Sequence, residues 1–277
     1  MISNAAYTYT PRATLIGGKG FIGQHLHLAL QATGWNSYVA EKADPRLTNE
    51  DLGHVFYCAG LTADFRQRPY ATVDAHVLLL ADILQRCQFS TLTYLSSTRV
   101  YAGSTSTDEQ AALTVNSNLA GDLYNISKLM GESLCLNSRR NVRVVRLSNV
   151  YGQGMPEQNF LSEILRDAAT NKKLLFRSAA SSEKDYIAVA DVVSCLPRIA
   201  MEGEIGIYNL ASGHNTSHAS LAAQLQALGV TCAFEEQAPE LRFPRISTTK
   251  LHTLCGPMQG DLNTELPVLF NYYARMP

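Results

Sequence analysis

The segment ATLIGGKGFIGQHLHLAL, from Ala13 to Leu30, sets three glycines, Gly17, Gly20 and Gly23, between a short apolar run and an amphipathic one. Thr14, Leu15 and Ile16 read as a buried strand, while Phe21, Ile22, Leu26, Leu30 and Gly34 recur at the spacing of a helix face. The glycines therefore fall at a strand-to-helix turn. A tight turn there needs positive φ, and a pyrophosphate needs backbone free of side chains. The helix start adds unpaired N–H groups and a positive dipole end. The combination suits a dinucleotide.

In such a site a carboxylate at the end of the next strand receives the adenosine ribose hydroxyls, about 20 residues beyond the glycines. Ser37 to Ala40 reads as that strand, and Glu41 follows it. Glu41 would repel a 2′-phosphate and so favours NAD as the cofactor. Lys19 inside the glycine turn and Lys42 after Glu41 could each pair with the extra phosphate, which keeps NADP open.

A chain of 277 residues with a formal charge of −1 can bury one large core, or one large and one small, and calls for no electrostatic partner. It has no long basic run, so nucleic acid is not expected. The six cysteines, Cys58, Cys87, Cys135, Cys195, Cys232 and Cys255, are scattered without metal-ligand or redox spacing, and are expected to be reduced and mostly buried. No metal site is expected. MISNAAYTYTPR at the N-terminus lacks the apolar centre of a signal peptide, and no segment approaches the roughly 20 apolar residues that span a bilayer. These features predict a cytoplasmic protein with no membrane partner.

Along the chain, apolar strands alternate with helical stretches. HVFYCAG (His54 to Gly60) reads as a strand ending in a small-residue turn. A helical stretch from about Tyr70 to Cys87, the strand TLTYLSS, a helix around Tyr124 to Asn137 and the strand VRVVRLS follow. This alternation predicts an α/β fold, a doubly wound parallel sheet of the Rossmann type, with a smaller C-terminal substrate-binding lobe. Residues 1–155 are assigned to the dinucleotide-binding domain and 156–277 to the lobe, with about 186–210 returning to the former. Ligands in such sheets bind outside the carboxyl ends of the strands.

LSSTRVYAG places Ser96, Ser97 and Thr98 directly after a strand, at that sheet edge. YNISK sets Tyr124 and Lys128 four apart, on one face of a helix. A lysine cation near a phenol favours the phenolate and would lower a pKa that is normally about 10. With a serine hydroxyl on the same substrate oxygen, the pair could move a proton while a nicotinamide takes or gives a hydride. Alone, such a pair more often supports a helix surface than catalysis.

Taken together and in order, GGKGFIG, CAG (Cys58 to Gly60), SSTRVY (Ser96 to Tyr101), YNISK, RLSNVYG (Arg146 to Gly152), KDYIAVADVV (Lys184 to Val193) and YNLASG (Tyr208 to Gly213) resemble the motifs of extended short-chain dehydrogenases/reductases. More narrowly, they are similar to the NAD-dependent epimerase/dehydratase group that modifies nucleotide sugars. The resemblance runs from about Ala13 to Gly213. It implies that Tyr124 is the general acid/base, that Lys128 binds the nicotinamide ribose and tunes Tyr124, and that Ser97 holds the reacting oxygen. Gly17, Gly20, Phe21, Ile22, Gly23, Glu41, Cys58, Ala59, Gly60 and Ser96 would line the cofactor. Thr98, Arg99, Asn149 and Lys184 would face the substrate, a nucleotide-diphosphate sugar, and Arg242 would help hold its diphosphate. The family also implies a homodimer through the helix bearing Tyr124 and the stretch from Tyr70 to Cys87, with Leu78, Leu79, Ile83, Leu129 and Leu134 as contact candidates.

Several positions depart from the pattern. Family dehydratases carry Asp-Glu where this chain has Thr98 and Arg99, which argues against 4,6-dehydration. His76 stands where the family usually has asparagine and reads as a packing residue. Only twelve residues separate Glu41 from His54, so the usual third strand and its crossover helix are trimmed. The expected activity is C4 epimerisation of a nucleotide-diphosphate sugar, with reduction of a 4-keto sugar as the alternative. A dinucleotide-sensing protein without catalysis is the reading of another class.

Overall fold

The computed structural model describes residues 10–62 and 64–275. Most of the N-terminal stretch read above for a signal peptide lies outside them.

In chain order the first half comprises β1 (Arg12–Ile16), α1 (Phe21–Ala32), β2 (Asn36–Ala40), α2 (Arg46–Asn49), β3 (His54–Tyr57), α3 (Pro69–Val73), a π-helical turn over Asp74–Leu78, α4 (Leu79–Arg86), β4 (Thr91–Ser97), a 3₁₀ turn over Thr98–Tyr101, α5 (Asp122–Asn137) and β5 (Val142–Leu147). The second half comprises β6 (Asn149–Tyr151), α6 (Phe160–Asn171), β7 (Lys173–Phe176), β8 (Glu183–Ala188), α7 (Val189–Glu202), β9 (Gly206–Leu210), β10 (Asn215–Ser217), α8 (His218–Ala227), β11 (Thr231–Phe234), α9 (Thr249–Cys255) and α10 (Leu262–Ala274).

Six strands form one parallel sheet in the order β2-β1-β3-β4-β5-β9. The α/β class and the doubly wound sheet read from the alternation are what the chain adopts. The strands β3 and β5 are buried along their whole length, as a sheet covered on both faces requires. One face packs on α1 and α7 through Leu26, Leu30, Val192 and Leu196, and the other on α4 and α5 through Leu80, Ile83 and Cys135. The short Glu41 to His54 connection has a direct consequence. It holds a single turn of helix and no strand, so β2 is the sheet edge.

A separate core gathers α6, α8, α10, β7 and β8 around Leu165, Phe176, Tyr186, Leu221 and Leu266. It sits beyond the carboxyl ends of the strands because β6 follows directly on β5 and β10 on β9, and the two flank β8 in a second, three-stranded sheet. Of the cysteines, Cys87, Cys135 and Cys195 are buried, while Cys58, Cys232 and Cys255 are partly exposed, fewer buried than expected. No helix among the described residues is long and apolar enough to cross a membrane.

The glycine turn is shaped by backbone-to-backbone approach. Gly17 has φ +76°, and a Cβ there would stand 2.6 Å from the Ala59 backbone. At Gly23 it would stand 2.6 Å from Gly18 Cα and 2.7 Å from Gly17 O, so the first turn of α1 lies directly on the loop. Neither neighbour is a side chain that could rotate away. Gly23→Ala is therefore expected to cost about 1–3 kcal/mol of stability, the range for overpacking, with weakened dinucleotide binding. Urea denaturation and calorimetric titration with NAD check the two effects.

Candidate active site

A crevice of about 450 Å³ opens at the carboxyl ends of β1, β3, β4 and β5, roofed by residues from the second half of the chain. One end is formed by Gly20–Gly23, which starts α1. Gly20 is the N-cap and offers no side-chain cap, and the first turn carries no acidic residue. The unpaired N–H groups of that turn thus remain free for an anion. This cradle, closed to any side chain at Gly17 and Gly23, fits the pyrophosphate of a dinucleotide.

The floor is made by Cys58–Gly60 after β3 and by Leu95–Ser97 at the end of β4. Tyr124 and Lys128 project from one face of α5, and Ser97, Thr98 and Arg99 stand opposite, at the start of the 3₁₀ turn. Asn149 and Lys184 line the far side, from β6 and β8. Asn149 Nδ2 donates to Asp185 O at 2.8 Å, and Lys184 Nζ lies 4.3 Å from the Phe160 ring centroid.

Three predicted residues stand elsewhere. Gly17 lies beneath the turn, packed on Ala59, and shapes the crevice without lining it. Glu41 is exposed beyond the end of β2, paired with Lys19 at 2.7 Å. Arg242 is turned to solvent and held by Glu240 at 2.9 Å, because the backbone at 242 bridges to Glu183 and sends the side chain outward. Its neighbours Phe243, Pro244 and Ile246 line the crevice instead. Ser96 lines the floor, but its hydroxyl donates to buried Glu132 Oε1 at 2.5 Å and is committed to the core.

The electrostatics differ from the simple lysine-phenol scheme. Burial dominates at Tyr124 and lifts its pKa above the ordinary phenol value. The Ser97 side chain and the Arg99 charge pull it back in part. Lys128 does not deliver the expected lowering, because it too is buried: its pKa is pushed down to about 7, with the Glu132 charge opposing. Its Nζ donates to Leu95 O at 2.9 Å and lies 5.9 Å from the Tyr124 ring centroid.

The lysine makes a testable contribution to stability. Its pKa falls from 10.5 in the open chain to about 7 when folded. Between those values the unfolded chain binds the extra proton, so stability rises with pH. The gain from pH 7 to pH 9 is about 2 kcal/mol. The cysteines held above their ordinary pKa act in the opposite sense over this range, so the comparison is made against Lys128→Met. Urea denaturation at the two pH values is expected to show a smaller rise, or a fall, in that variant.

His76 is fully buried in the π-helical turn, and burial pushes its pKa down to about 3, so it is neutral. Its Nε2 accepts from the Leu61 N–H at 3.2 Å, which leaves Nδ1 to donate to Ser127 Oγ at 2.8 Å. Ser127 Oγ in turn donates to Tyr124 O. The histidine thus ties the loop after Gly60 to the helix that carries Tyr124. Asp185 does similar work from the other side: its carboxylate accepts from the N–H groups of Ser212, Gly213 and His214 and from Ser212 Oγ. Asp185 falls inside the KDYIAVADVV motif without a role being read for it, and no short-range sequence signal marked Phe243 or Ile246, since long-range chain packing brings them to the crevice.

Residues 13–211 match the NAD dependent epimerase/dehydratase family. The chain belongs to that family. It is an extended short-chain dehydrogenase/reductase, and among curated proteins it is similar to the dTDP-D-glucose 4,6-dehydratase of Dictyostelium discoideum, at 21% identity over 81% of this chain. It spans 63% and 56% of the lengths of the two curated relatives it matches. Among solved structures, RMD from Pseudomonas aeruginosa, complexed with NADPH, shares the fold with a TM-score of 0.82 and 23% identity, covering 96% of this chain and 99% of that one. A variant of the UDP-glucuronic acid 4-epimerase from Bacillus cereus, complexed with UDP-4-deoxy-4-fluoro-glucuronic acid and NAD, has a TM-score of 0.79 at 16% identity, covering 95% and 98%.

Proposed function

We propose that the protein is an enzyme that uses NAD, with NADP as the alternative, to act at C4 of a nucleotide-diphosphate sugar, and that the reaction is 4-epimerisation. The observation that carries this reading is the convergence of Ser97, Tyr124 and Lys128 in the one crevice that also contains the uncapped start of α1. The family supports it, as do neighbours bound to NAD or NADPH, among them structures that also hold a nucleotide sugar or its analogue.

When bound, the nicotinamide supplies an acceptor and donor for the hydride at C4. The residues of this chain handle the proton. Tyr124, as phenolate, takes it from the C4 hydroxyl and gives it back after the sugar has turned. Ser97 holds the same oxygen. Lys128, with its pKa near neutrality, would hold the nicotinamide ribose and supply positive charge there, and His76 keeps the loop after Gly60 in place through the Leu61 N–H. A Cβ at Gly60 would stand 3.0 Å from His76 Nε2 and 3.3 Å from Lys128 Nζ, so a side chain there would crowd both. Lys184 is assigned to the diphosphate. Thr98 and Arg99 supply neither the acid nor the base that removal of water from C5 and C6 requires.

Reduction of a 4-keto sugar uses the same residues, and Lys19 gives it one supporting observation. Lys19 is exposed and could leave Glu41 for a 2′-phosphate, as NADPH would need. Native mass spectrometry of the freshly purified protein decides between them. Tightly retained NAD, with no net oxidation of the sugar nucleotide, supports the epimerase. Stoichiometric loss of NADH or NADPH absorbance on a keto sugar supports the reductase. If dinucleotide binds and no sugar nucleotide reacts, the sensing reading replaces both.

The same reading includes a homodimer through α4 and α5. Leu78 and Met130 are more than half exposed there and Leu79 is also exposed, while Ile83 is spent in the core. Sedimentation equilibrium tests the assembly.

A further inference from the structure

One cation of the crevice, Arg99, lies at the reacting end, beside Tyr124. Of its charged lining residues, Arg99, Lys128 and Lys184 are cations and Asp185 is the only acid among the described residues. The four hydrogen bonds from residues 212–214 already occupy the Asp185 carboxylate. Arg99 lies with its Cζ 5.6 Å from the Tyr124 ring centroid and 5.1 Å from that of Phe65. Arg66 stacks on the same Phe65 at 4.8 Å. A Cβ built on Gly121 would be 3.4 Å from Arg99 Nη2 and 3.5 Å from Arg66 Nη2, so both guanidinium heads flank one point at the start of α5.

Neither arginine forms an ion pair among the described residues. The side chain of Arg99, with five N–H donors, makes one long contact, 3.5 Å to Gly121 O. The nearby acid, Asp122, already accepts from Asn116 N and Asn125 Nδ2. Burial, Arg66 and Lys184 all work against the Arg99 charge or are worked against by it. A half-buried guanidinium in such company is stabilised by an anion that arrives with the ligand.

The place of that anion is constrained. Lys184 stacks on Phe160 and the start of α1 forms one end of the lining, and both are assigned to phosphates, whereas Arg99 stacks on the ring of the proposed acid/base. A charge that meets Arg99 while C4 meets Tyr124 must sit on the sugar within a bond or two of C4. We infer that the substrate is the nucleotide diphosphate of a hexuronic acid, whose C5-linked carboxylate is gripped by Arg99 with Arg66 beside it. This rests on the C4 reading above and narrows it to acidic sugars.

The test compares UDP-glucuronic acid with UDP-glucose as substrates of the full-length protein supplied with NAD, and repeats the pair on dTDP and GDP. Products are followed by chromatography. The expected result is a preference for the glucuronate of about 10- to 100-fold in kcat/KM, the range for one charged hydrogen-bonded contact. Arg99→Gln should remove most of that preference through KM for the glucuronate, Arg99→Lys should restore part of it, and Arg66→Gln should have a smaller effect in the same direction. Thermal melting confirms that each variant is folded. Equal use of the two sugars by the unaltered protein, or an Arg99→Gln variant that keeps the preference for the glucuronate on the plateau of its own pH profile, overturns the carboxylate contact and leaves C4 chemistry standing. Turnover of none of the six, with NAD bound, overturns the C4 reading and this inference with it.

Discussion

Tyr124→Phe is expected to lower turnover by about 10²–10⁴-fold, the range for loss of a positioned proton-transfer group. Dinucleotide affinity should change little, because the substitution deletes one oxygen and leaves the ring that packs on Phe65 and His76. The pH profile adds a sign. Burial raises the Tyr124 pKa, while Ser97 and Arg99 lower it, so removing either of the latter should move the rising limb of activity to higher pH. Steady-state kinetics across the pH range, with calorimetric titration of NAD, check both. Retention of activity within tenfold would show that the phenol does not carry the proton.

Glu132→Ala is expected to be the most destabilising single change at the base of the site, at about 3–5 kcal/mol, because it strands a buried guanidinium. Arg146 and Glu132 are each only 4% exposed and pair at 2.7 Å, with Nε bonded to the same carboxylate at 3.0 and 3.2 Å. The network continues from Arg146 Nη1 to the Tyr101 hydroxyl, and from there to Asn209 Oδ1, at 2.7 and 2.8 Å. Asn209 Nδ2 then donates to the carbonyls of Thr107 and Ser247. One ion pair thus ties α5, β4, β5 and β9 to Thr107 and to Ser247, which directly follows the crevice residues Phe243–Ile246. Chemical denaturation should show a lower midpoint with an unchanged slope. The paired change Glu132→Leu with Arg146→Met should cost less, since it leaves no buried charge alone. The single variant should also hold Lys128 further below its ordinary pKa, since Glu132 is the main charge opposing its burial.

The local patterns carried most of the frame. The glycine turn, the strands at 91–97 and 142–147 and the Tyr124 helix are read from short-range rules, because a buried parallel strand and an amphipathic helix each impose their own residue spacing. The trimmed connection after Glu41 was legible from its length. Charge behaviour was not. Tyr124 and Lys128 lie four apart in any helix, but whether they ionise depends on how deeply the sheet and the second core bury them. That is a property of atoms far apart in the chain.

The same reason separates Arg242 from Arg99. In sequence both are lone cations near a motif. In the folded chain Arg242 finds Glu240 and faces outward, whereas Arg99 is pressed between Phe65 and Tyr124 with no ion pair among the described residues. The sequence by itself determined the sheet, the glycine turn and which residues are proposed to move a proton, since backbone sterics and residue type act over a few positions. Tertiary structure alone decided which charges are paired, which are buried and which meet at the crevice, because Coulomb interaction and desolvation depend on distances that the folded chain sets.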